Sequence, residues 1–396
     1  MKNSKKSRIL KQLAAISLAV ILIFSFASCG KNKEGNNSKY KVVPSDKKVA
    51  ILVAPEAQYP EDYRAAAELA KEYPDKVVVN EYADSRILKP GDAEIITLSK
   101  TVAADEEIGA IVYAKATQFT TYAINAAKEI NPDIVTVCIE PEESIDKISE
   151  LSDLVLCADW SAAASDIVAA AKEQGAKYFV VFSINRHIGD NPLISAENAA
   201  IEKACKEQGI TYVYDSAVDP IYSTGISGAQ KYIKESVARL YSNSKIEGSD
   251  VALFSTDSSV QSTLVEVANE KGLIYVCPSF PTAYNGIGEV YEIAVPDKAA
   301  DVDAYIKSAK EAVGADAQGK ARISLYKFPL ASSLLKTAVY GAFEILSGTA
   351  TAENLAERVS EIAAYSADSK NFAISVYDDA HANSFKAYCP GFEKIR

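Results

Sequence analysis

Charged, polar and aromatic side chains directly follow the apolar runs of this sequence, where they could bind a small polar ligand. Carboxylate, ammonium and guanidinium groups form hydrogen bonds with the hydroxyl, carboxyl or amino groups of such a ligand. An aromatic side chain adds an apolar surface on which a sugar ring or a base stacks. The candidate ligand-binding residues in these positions are Glu56, Lys115, Glu140, Asp159, Trp160, Arg186, Asp257, Ser279 and Phe280.

Four of these candidates also have a purely structural interpretation. Trp160, the single tryptophan, could be an aromatic residue packed at a hinge. Arg186 could be a solvated loop cation, because charged residues are mostly exposed. Glu140 and Lys115 could be ordinary charges of surface loops for the same reason. The sequence leaves both interpretations open for each of the four residues.

The sequence lacks the residue patterns that catalysis, metal binding or a bound cofactor requires. The two histidines, His187 and His381, have no cysteine or histidine at metal-ligand spacing. Adjacent acids such as Glu142 and Glu143 are typical of a solvated surface. No GxSxG nucleophile elbow and no complete phosphate-binding glycine loop occurs. We therefore predict a binding protein and not an enzyme, with no catalytic residue, no metal and no cofactor.

The N-terminus has the pattern of an export signal. Five lysines and arginines precede an uncharged apolar run that ends in Ala27, Ser28, Cys29 and Gly30. This ending resembles the cleavage box of bacterial lipoproteins, so residues 1–28 are predicted to be a lipoprotein signal peptide. The resemblance implies that Cys29 is lipidated and anchors the protein to the cell membrane, outside the cytoplasm. A simple signal peptide or an N-terminal anchor helix is the alternative.

The charge of the chain excludes nucleic acid as an expected partner. The 396 residues carry a formal net charge of −11 at pH 7, and losing residues 1–28, with five cations and no acids, changes it to −16. A protein that binds nucleic acid needs a basic face for the phosphates. We therefore predict contact with the membrane through the lipid anchor only, and no nucleic acid.

Buried apolar strands alternate with amphipathic helices from residue 47 onward, and the pattern restarts after Trp160. Strands rich in Val, Ile and Leu without polar alternation are typical of parallel sheets that helices cover on both faces. The pattern predicts an α/β protein with two doubly wound parallel-sheet lobes. The predicted segments are a flexible tether over 29–46, an N-terminal lobe over 47–160 plus about 321–348, a C-terminal lobe over 161–296, a helical insert over 297–320, and a tail over 349–396 whose placement stays open.

The order of elements resembles type I periplasmic binding proteins, the substrate-binding lipoproteins of ABC importers. The resemblance rests on junctions such as LCADW (156–160), FSTD (254–257) and the late stretch that begins RISLYKFP (322–329). It implies a hinge of several strands, which we place near Asp159–Ala162, Pro278–Pro281 and Lys327–Pro329. It also implies that Asp257 lies in a ligand-facing turn. The chain could belong to a branch of this fold that is a family of unknown function.

These features together predict a membrane-anchored solute-binding protein. The expected ligand is a small polar molecule held between the lobes, a sugar or nucleoside being favoured by the mixture of aromatic and charged candidates. The expected protein partner is an ABC permease. The alternatives are a ligand-sensing lipoprotein of the same fold and a binder of amino acids or peptides.

Overall fold

A computed structural model describes residues 40–56, 59–82, 93–221, 224–316 and 318–396 of the protein. The predicted signal peptide, Cys29 and the tether up to residue 39 lie outside these residues. The end of the predicted tether packs on the fold, because the ring of Tyr40 lies 5.3 Å from that of Tyr365 and 5.7 Å from the guanidinium carbon of Arg358. Burial of an aromatic ring is favourable. The folded part of the chain therefore already includes Tyr40, which corrects the predicted end of the tether at residue 46.

Strands and helices alternate along most of the described chain. The strands are β1 (Lys48–Val53), β2 (Val77–Glu81), β3 (Ile108–Tyr113), β4 (Val135–Ile139), β5 (Leu154–Ala158), β6 (Tyr178–Ser183), β7 (Thr211–Ser216), β8 (Val251–Ser255), β9 (Ile274–Tyr275), β10 (Arg322–Tyr326), β11 (Ala373–Val376), β12 (Ser384–Tyr388) and β13 (Phe392–Lys394). The helices are α1 (Pro60–Glu72), α2 (Glu94–Ala103), α3 (Thr120–Ile130), α4 (Ile145–Leu151), α5 (Trp160–Glu173), α6 (Asn185–Asp190), α7 (Pro192–Gln208), α8 (Gly225–Ser242), α9 (Gln261–Lys271), α10 (Ile287–Tyr291), α11 (Val302–Ala315), α12 (Leu330–Leu346) and α13 (Leu355–Ala367).

The first lobe is built on a seven-stranded sheet with the order β11-β12-β5-β4-β3-β1-β2. Its strands pair in parallel, except that β11 and β12 are antiparallel. Strands β3, β4 and β5 are buried along their whole length. Helices α1, α12 and α13 pack together, and α2, α3 and α4 form a second layer. Burial on both faces explains the continuous apolar runs of these strands.

The second lobe is built on a six-stranded sheet with the order β13-β10-β9-β8-β6-β7, which is parallel except for the β10–β13 pair. Side chains alternate between its two faces along β6. Phe179 and Val181 belong to the core that includes α5 and α7. Val180 and Phe182 belong to the core that includes α8, α9 and α11. The predicted α/β class with two doubly wound lobes is confirmed.

The late part of the chain departs from the predicted lobe boundaries. Strand β10, predicted to return to the N-terminal lobe, pairs with β9 and β13 in the second sheet. Helix α11, predicted to be part of an insert, buries Tyr305, Ile306 and Val313 in the second core. Helix α11 therefore belongs to the second lobe and not to an insert, because its apolar face packs in that core. The return to the first lobe comes only with α12.

The C-terminal tail is shared between the lobes. Strand β12 pairs with β5 and extends the first sheet, while β13 pairs with β10 and extends the second. Helix α13 packs against α12. The placement of residues 349–396 was not predictable from the sequence, because strands of three to five residues carry little periodic signal.

Three segments of the chain connect the lobes. They lie between β5 and α5, between β10 and α12, and between β12 and β13. The predicted hinge at Pro278–Pro281 is not among them, because the chain stays in the second lobe from β9 through β10. In the third segment, Gly391 has a φ of +139°, and its carbonyl accepts from the Lys327 amide at 3.3 Å. The second and third segments are thus bonded to each other.

Two further observations concern the described residues as a whole. The five cysteines at 138, 157, 205, 277 and 389 are buried and not bonded to one another. In the same part of the chain, every helix is too short or too polar to span a bilayer.

Candidate functional site

The two sheets face each other across a cleft that their strands' carboxyl ends border. A cavity of about 160 Å³ lies there. Loops after β3, β4, β5, β6, β7, β8 and β9 contribute side chains to its wall, as does the start of α1. Ligands of open parallel sheets bind at this edge, because the loops there are free to carry polar groups. The cavity is therefore the candidate ligand site.

Six of the nine predicted site residues line this cavity, and both lobes supply them. The first lobe and the connection that follows β5 contribute Lys115 and Trp160. The second lobe contributes the other four, which are Arg186, Asp257, Ser279 and Phe280. Their role in ligand binding remains a prediction. They converge because each of them follows a strand whose carboxyl end borders the cleft.

The other three predicted site residues form structural contacts instead. Glu56 accepts a hydrogen bond from Nε of Arg64 at 2.5 Å. Glu140 is buried and accepts from the backbone amide of Ala158, and burial raises its pKa to about 7. Asp159 caps α5 by accepting from the Ala162 amide at 3.1 Å. Caps and buried acceptors satisfy backbone amides that water cannot reach.

Two aromatic rings line the cavity where the chain passes from β5 to α5. The rings of Trp160 and Phe280 meet edge to face with centroids 6.1 Å apart. The ammonium of Lys115 lies 4.8 Å from the centroid of Phe280 and 5.6 Å from that of Tyr59. This arrangement gives a ligand both an apolar ring surface and a cation at one end of the site.

The second lobe places a cation and an acid on its side of the cavity. Nε of Arg186 donates to the buried carboxylate of Asp219 at 3.0 Å. Asp257 uses Oδ1 to accept from the Ser259 amide at 2.8 Å and from its hydroxyl at 2.5 Å. Among the described residues, Oδ2 of Asp257 has no hydrogen-bond partner. The turn therefore fixes the carboxylate and leaves one oxygen for a ligand.

His187 lines the cavity in a neutral state. Its Nδ1 lies 3.0 Å from Oγ1 of Thr256, which also bonds the Ser183 hydroxyl at 2.7 Å. Burial lowers the pKa of His187 to about 4, so it is uncharged at neutral pH. Within the described part of the chain, no group of three or more histidine, cysteine or acidic side chains has a metal-binding arrangement.

The start of α1 supplies two acids that the sequence analysis missed. Burial raises the pKa of Asp62 to about 6, an effect that the nearby Lys115 ammonium opposes. Burial raises the pKa of Glu61 to about 8. Glu61 accepts from the Thr282 hydroxyl at 2.9 Å and from the Ser332 amide at 3.0 Å. Six residues separate the end of β1 from the start of α1, so both acids lie farther from a strand end than the candidates predicted from the sequence.

The two-lobed architecture and the cleft between sheet edges define a protein of the type I periplasmic-binding-protein fold. The chain belongs to the family described as "Protein of unknown function (DUF3798)", which its residues 47–324 match. Two proteins of Treponema pallidum (strain Nichols), both described as uncharacterized, are 27% identical over 120 residues and 28% identical over 127 residues. These matches cover 30% and 32% of this chain and 55% and 57% of the relatives, so the chain spans about half the length of the curated relatives it matches.

Solved structures share the fold at low sequence identity. A putative transcriptional regulator from Clostridium difficile 630 is 18% identical with a TM-score of 0.65, and the match covers 89% of this chain and 100% of that one. An ABC transporter solute binding protein from Clostridium phytofermentas with bound L-rhamnose is 10% identical with a TM-score of 0.50, covering 88% of this chain and 96% of that one. At these identities the likeness shows the fold alone.

Proposed function

We propose that this protein is a membrane-anchored, extracytoplasmic solute-binding protein that holds a small hydroxylated ligand between its lobes for an ABC importer. The observation that carries the proposal is the cavity itself, which polar and aromatic side chains of both lobes line together. A ligand in this position contacts both lobes at once and so favours their closed arrangement. A binding role without catalysis is part of the same proposal.

The charges of the cavity favour hydroxyl groups. The first lobe presents Lys115 with three acids, and the second presents Arg186 with one, so each lobe offers a cation beside at least one acid. The four acids are Glu61, Asp62, Glu142 and Asp257. A hydroxyl group both donates and accepts hydrogen bonds, so an acid can accept from it while a cation donates to it. The cavity volume of about 160 Å³ suits a ligand of one ring, because a cavity of about 150 Å³ is enough for benzene. We therefore propose a sugar or nucleoside component, with amino acids or peptides as the alternative.

A ligand-sensing lipoprotein of the same fold is the second candidate function. The fold occurs in the C. difficile protein described as a putative transcriptional regulator and in the C. phytofermentas solute binding protein with L-rhamnose. Both uses require the same ligand cavity. Co-purification from crosslinked membranes distinguishes them: recovery of a permease and its ATPase supports transport, and recovery of a membrane kinase or chemoreceptor supports sensing.

A thermal-shift screen tests the ligand class. Monosaccharides, nucleosides and amino acids are added to the mature protein, and a true ligand raises the Tm because it binds only the folded state. A ligand at a hundred times its Kd stabilises the fold by about 2.7 kcal/mol. We expect sugars or nucleosides to give the shift. Stabilisation by amino acids alone would show that the alternative class is correct, and no shift with any compound would contradict the proposal.

Replacing Cys29 tests the membrane anchor. We expect the variant Cys29→Ala to remain an uncleaved precursor without lipid, because the thiol is the acceptor in the cleavage box that residues 27–30 resemble. Intact-mass analysis of the wild-type protein should give a mature N-terminus at Cys29 with added lipid mass. The tether variant Asn36→Ala is the control and should be processed normally. A wild-type N-terminus at any other residue contradicts the prediction.

A further inference from the structure

Three hydrogen-bond donors on the first-lobe side of the cavity lack an acceptor within the described residues. Nε1 of Trp160 and Oγ1 of Thr117 are buried and have no partner, although the two side chains line the cavity. The ammonium of Lys115 also lines the cavity, and within the described ranges it has aromatic rings but no carboxylate or carbonyl oxygen at hydrogen-bonding distance. Trp160 is 7% exposed and Thr117 is 2% exposed, so bulk water is not a ready substitute.

The three donors are neighbours in the fold. Phe280 contacts the Trp160 ring on its edge and the Lys115 ammonium on its face. The Thr117 amide donates to the Lys115 carbonyl at 2.9 Å, which holds the two residues in one tight turn. Buried donors are almost always satisfied in folded proteins, and leaving one unmet is unfavourable. Two unmet buried donors beside a partly exposed ammonium at one cavity therefore indicate an acceptor that enters from outside the chain.

We propose that the ligand carries a carboxylate, which binds Lys115, Thr117 and Trp160 while hydroxyl groups occupy the rest of the cavity. The inference rests on the proposed function and narrows its ligand to a hydroxylated acid of monosaccharide size, such as a sugar acid. A carboxylate offers two oxygens with about four acceptor sites, enough for all three donors. Its bond to an ammonium is charge-assisted and therefore stronger than a bond between neutral groups.

The acids near Lys115 do not occupy the hydrogen-bonding positions of its ammonium. Asp62 on α1 and Glu140 after β4 both act on the site electrostatically, but neither forms an ion pair with the ammonium. Glu140 is instead bonded to the Ala158 amide. Burial raises the pKa of Asp62 to about 6 and that of Glu140 to about 7, so Asp62 is still mostly ionised at pH 7 and Glu140 is about half protonated.

The first test compares matched ligands on the wild-type protein at pH 7. D-galactose and D-galacturonate differ only in having CH₂OH or a carboxylate at C6, and D-glucose and D-glucuronate form a second pair. Isothermal titration calorimetry measures each Kd. We expect the acid of at least one pair to bind at least tenfold more tightly than its neutral partner. A neutral sugar that binds as tightly as its acid overturns the inference and leaves the proposed function intact. Absence of binding by all four overturns the inference, and only the failure of the whole thermal-shift screen overturns the proposed function as well.

Two variants test whether Lys115 and Thr117 bind the carboxylate of the ligand. Lys115→Met keeps the apolar stem and removes the charge, and Thr117→Val keeps the shape and removes the hydroxyl. We expect each to weaken the binding of the preferred acid by at least fivefold and to change that of its neutral partner less than threefold. The exposed Lys203→Met is the control and should change neither. An acid preference that survives both variants overturns the assignment, and Thr117→Val tests it even if Lys115→Met fails to fold.

Discussion

Replacing Arg358 with methionine is expected to lower the free energy of unfolding by about 3–5 kcal/mol, the cost of leaving a buried charge without its partner. Arg358 on α13 forms two bonds to Glu344 on α12, from Nε at 2.7 Å and from Nη2 at 2.5 Å. The Glu344 side chain is only 8% exposed, so water cannot replace the guanidinium. Urea unfolding followed by circular dichroism measures the change.

Two controls separate the buried pair from its surroundings. The double variant Glu344→Met/Arg358→Met removes both charges, and we expect it to recover most of the lost stability because apolar pairs can replace buried ion pairs. Lys203→Met breaks an exposed pair with Glu207 and should cost at most about 1 kcal/mol. If Arg358→Met is no more destabilising than Lys203→Met, then α13 is not held to the first lobe by this pair.

The sequence was sufficient to predict the two lobes and their parallel sheets. The evidence was the restart of the strand–helix pattern after Trp160, since long buried strands such as β3 and β6 produce continuous apolar runs. The exchange of segments between lobes was not predictable in detail. The sequence of β10 has the apolar pattern of any buried strand and does not specify a sheet. Only its pairing with β9 and β13 shows that it joins the second sheet.

The candidate site was predictable to the extent that it depends on strand ends. Lys115, Arg186 and Asp257 follow β3, β6 and β8 directly and reach the cavity. Glu140 follows β4 in the same way, but its backbone has a φ of +49° and its side chain bonds the neighbouring strand end. Which way a side chain turns after a strand depends on local backbone geometry, and the sequence pattern does not contain that information.

Replacing Asp257 with asparagine is expected to weaken ligand binding by about 10- to 150-fold, because a hydrogen bond to a charged group contributes about 1.5–3 kcal/mol. The amide keeps an oxygen that can accept from the Ser259 amide, so the turn before α9 is retained. The other oxygen becomes an NH₂ group, which cannot accept from a ligand hydroxyl. Calorimetric titration with whichever compound the thermal-shift screen identifies measures the loss.

A matched variant of an acid outside the cleft shows whether the loss of affinity is specific to the ligand site. Asp379 is exposed in the loop between β11 and β12, and Asp379→Asn removes the same charge from the chain. We expect its Kd to stay within about twofold of the wild-type value, since exposed charges more than a Debye length of about 10 Å apart are largely screened at 0.1 M salt. Equal affinities for Asp257→Asn and Asp379→Asn would remove Asp257 from the ligand site. A loss confined to Asp257→Asn would mean that the turn after β8 binds the ligand, because the two variants share the same change in net charge.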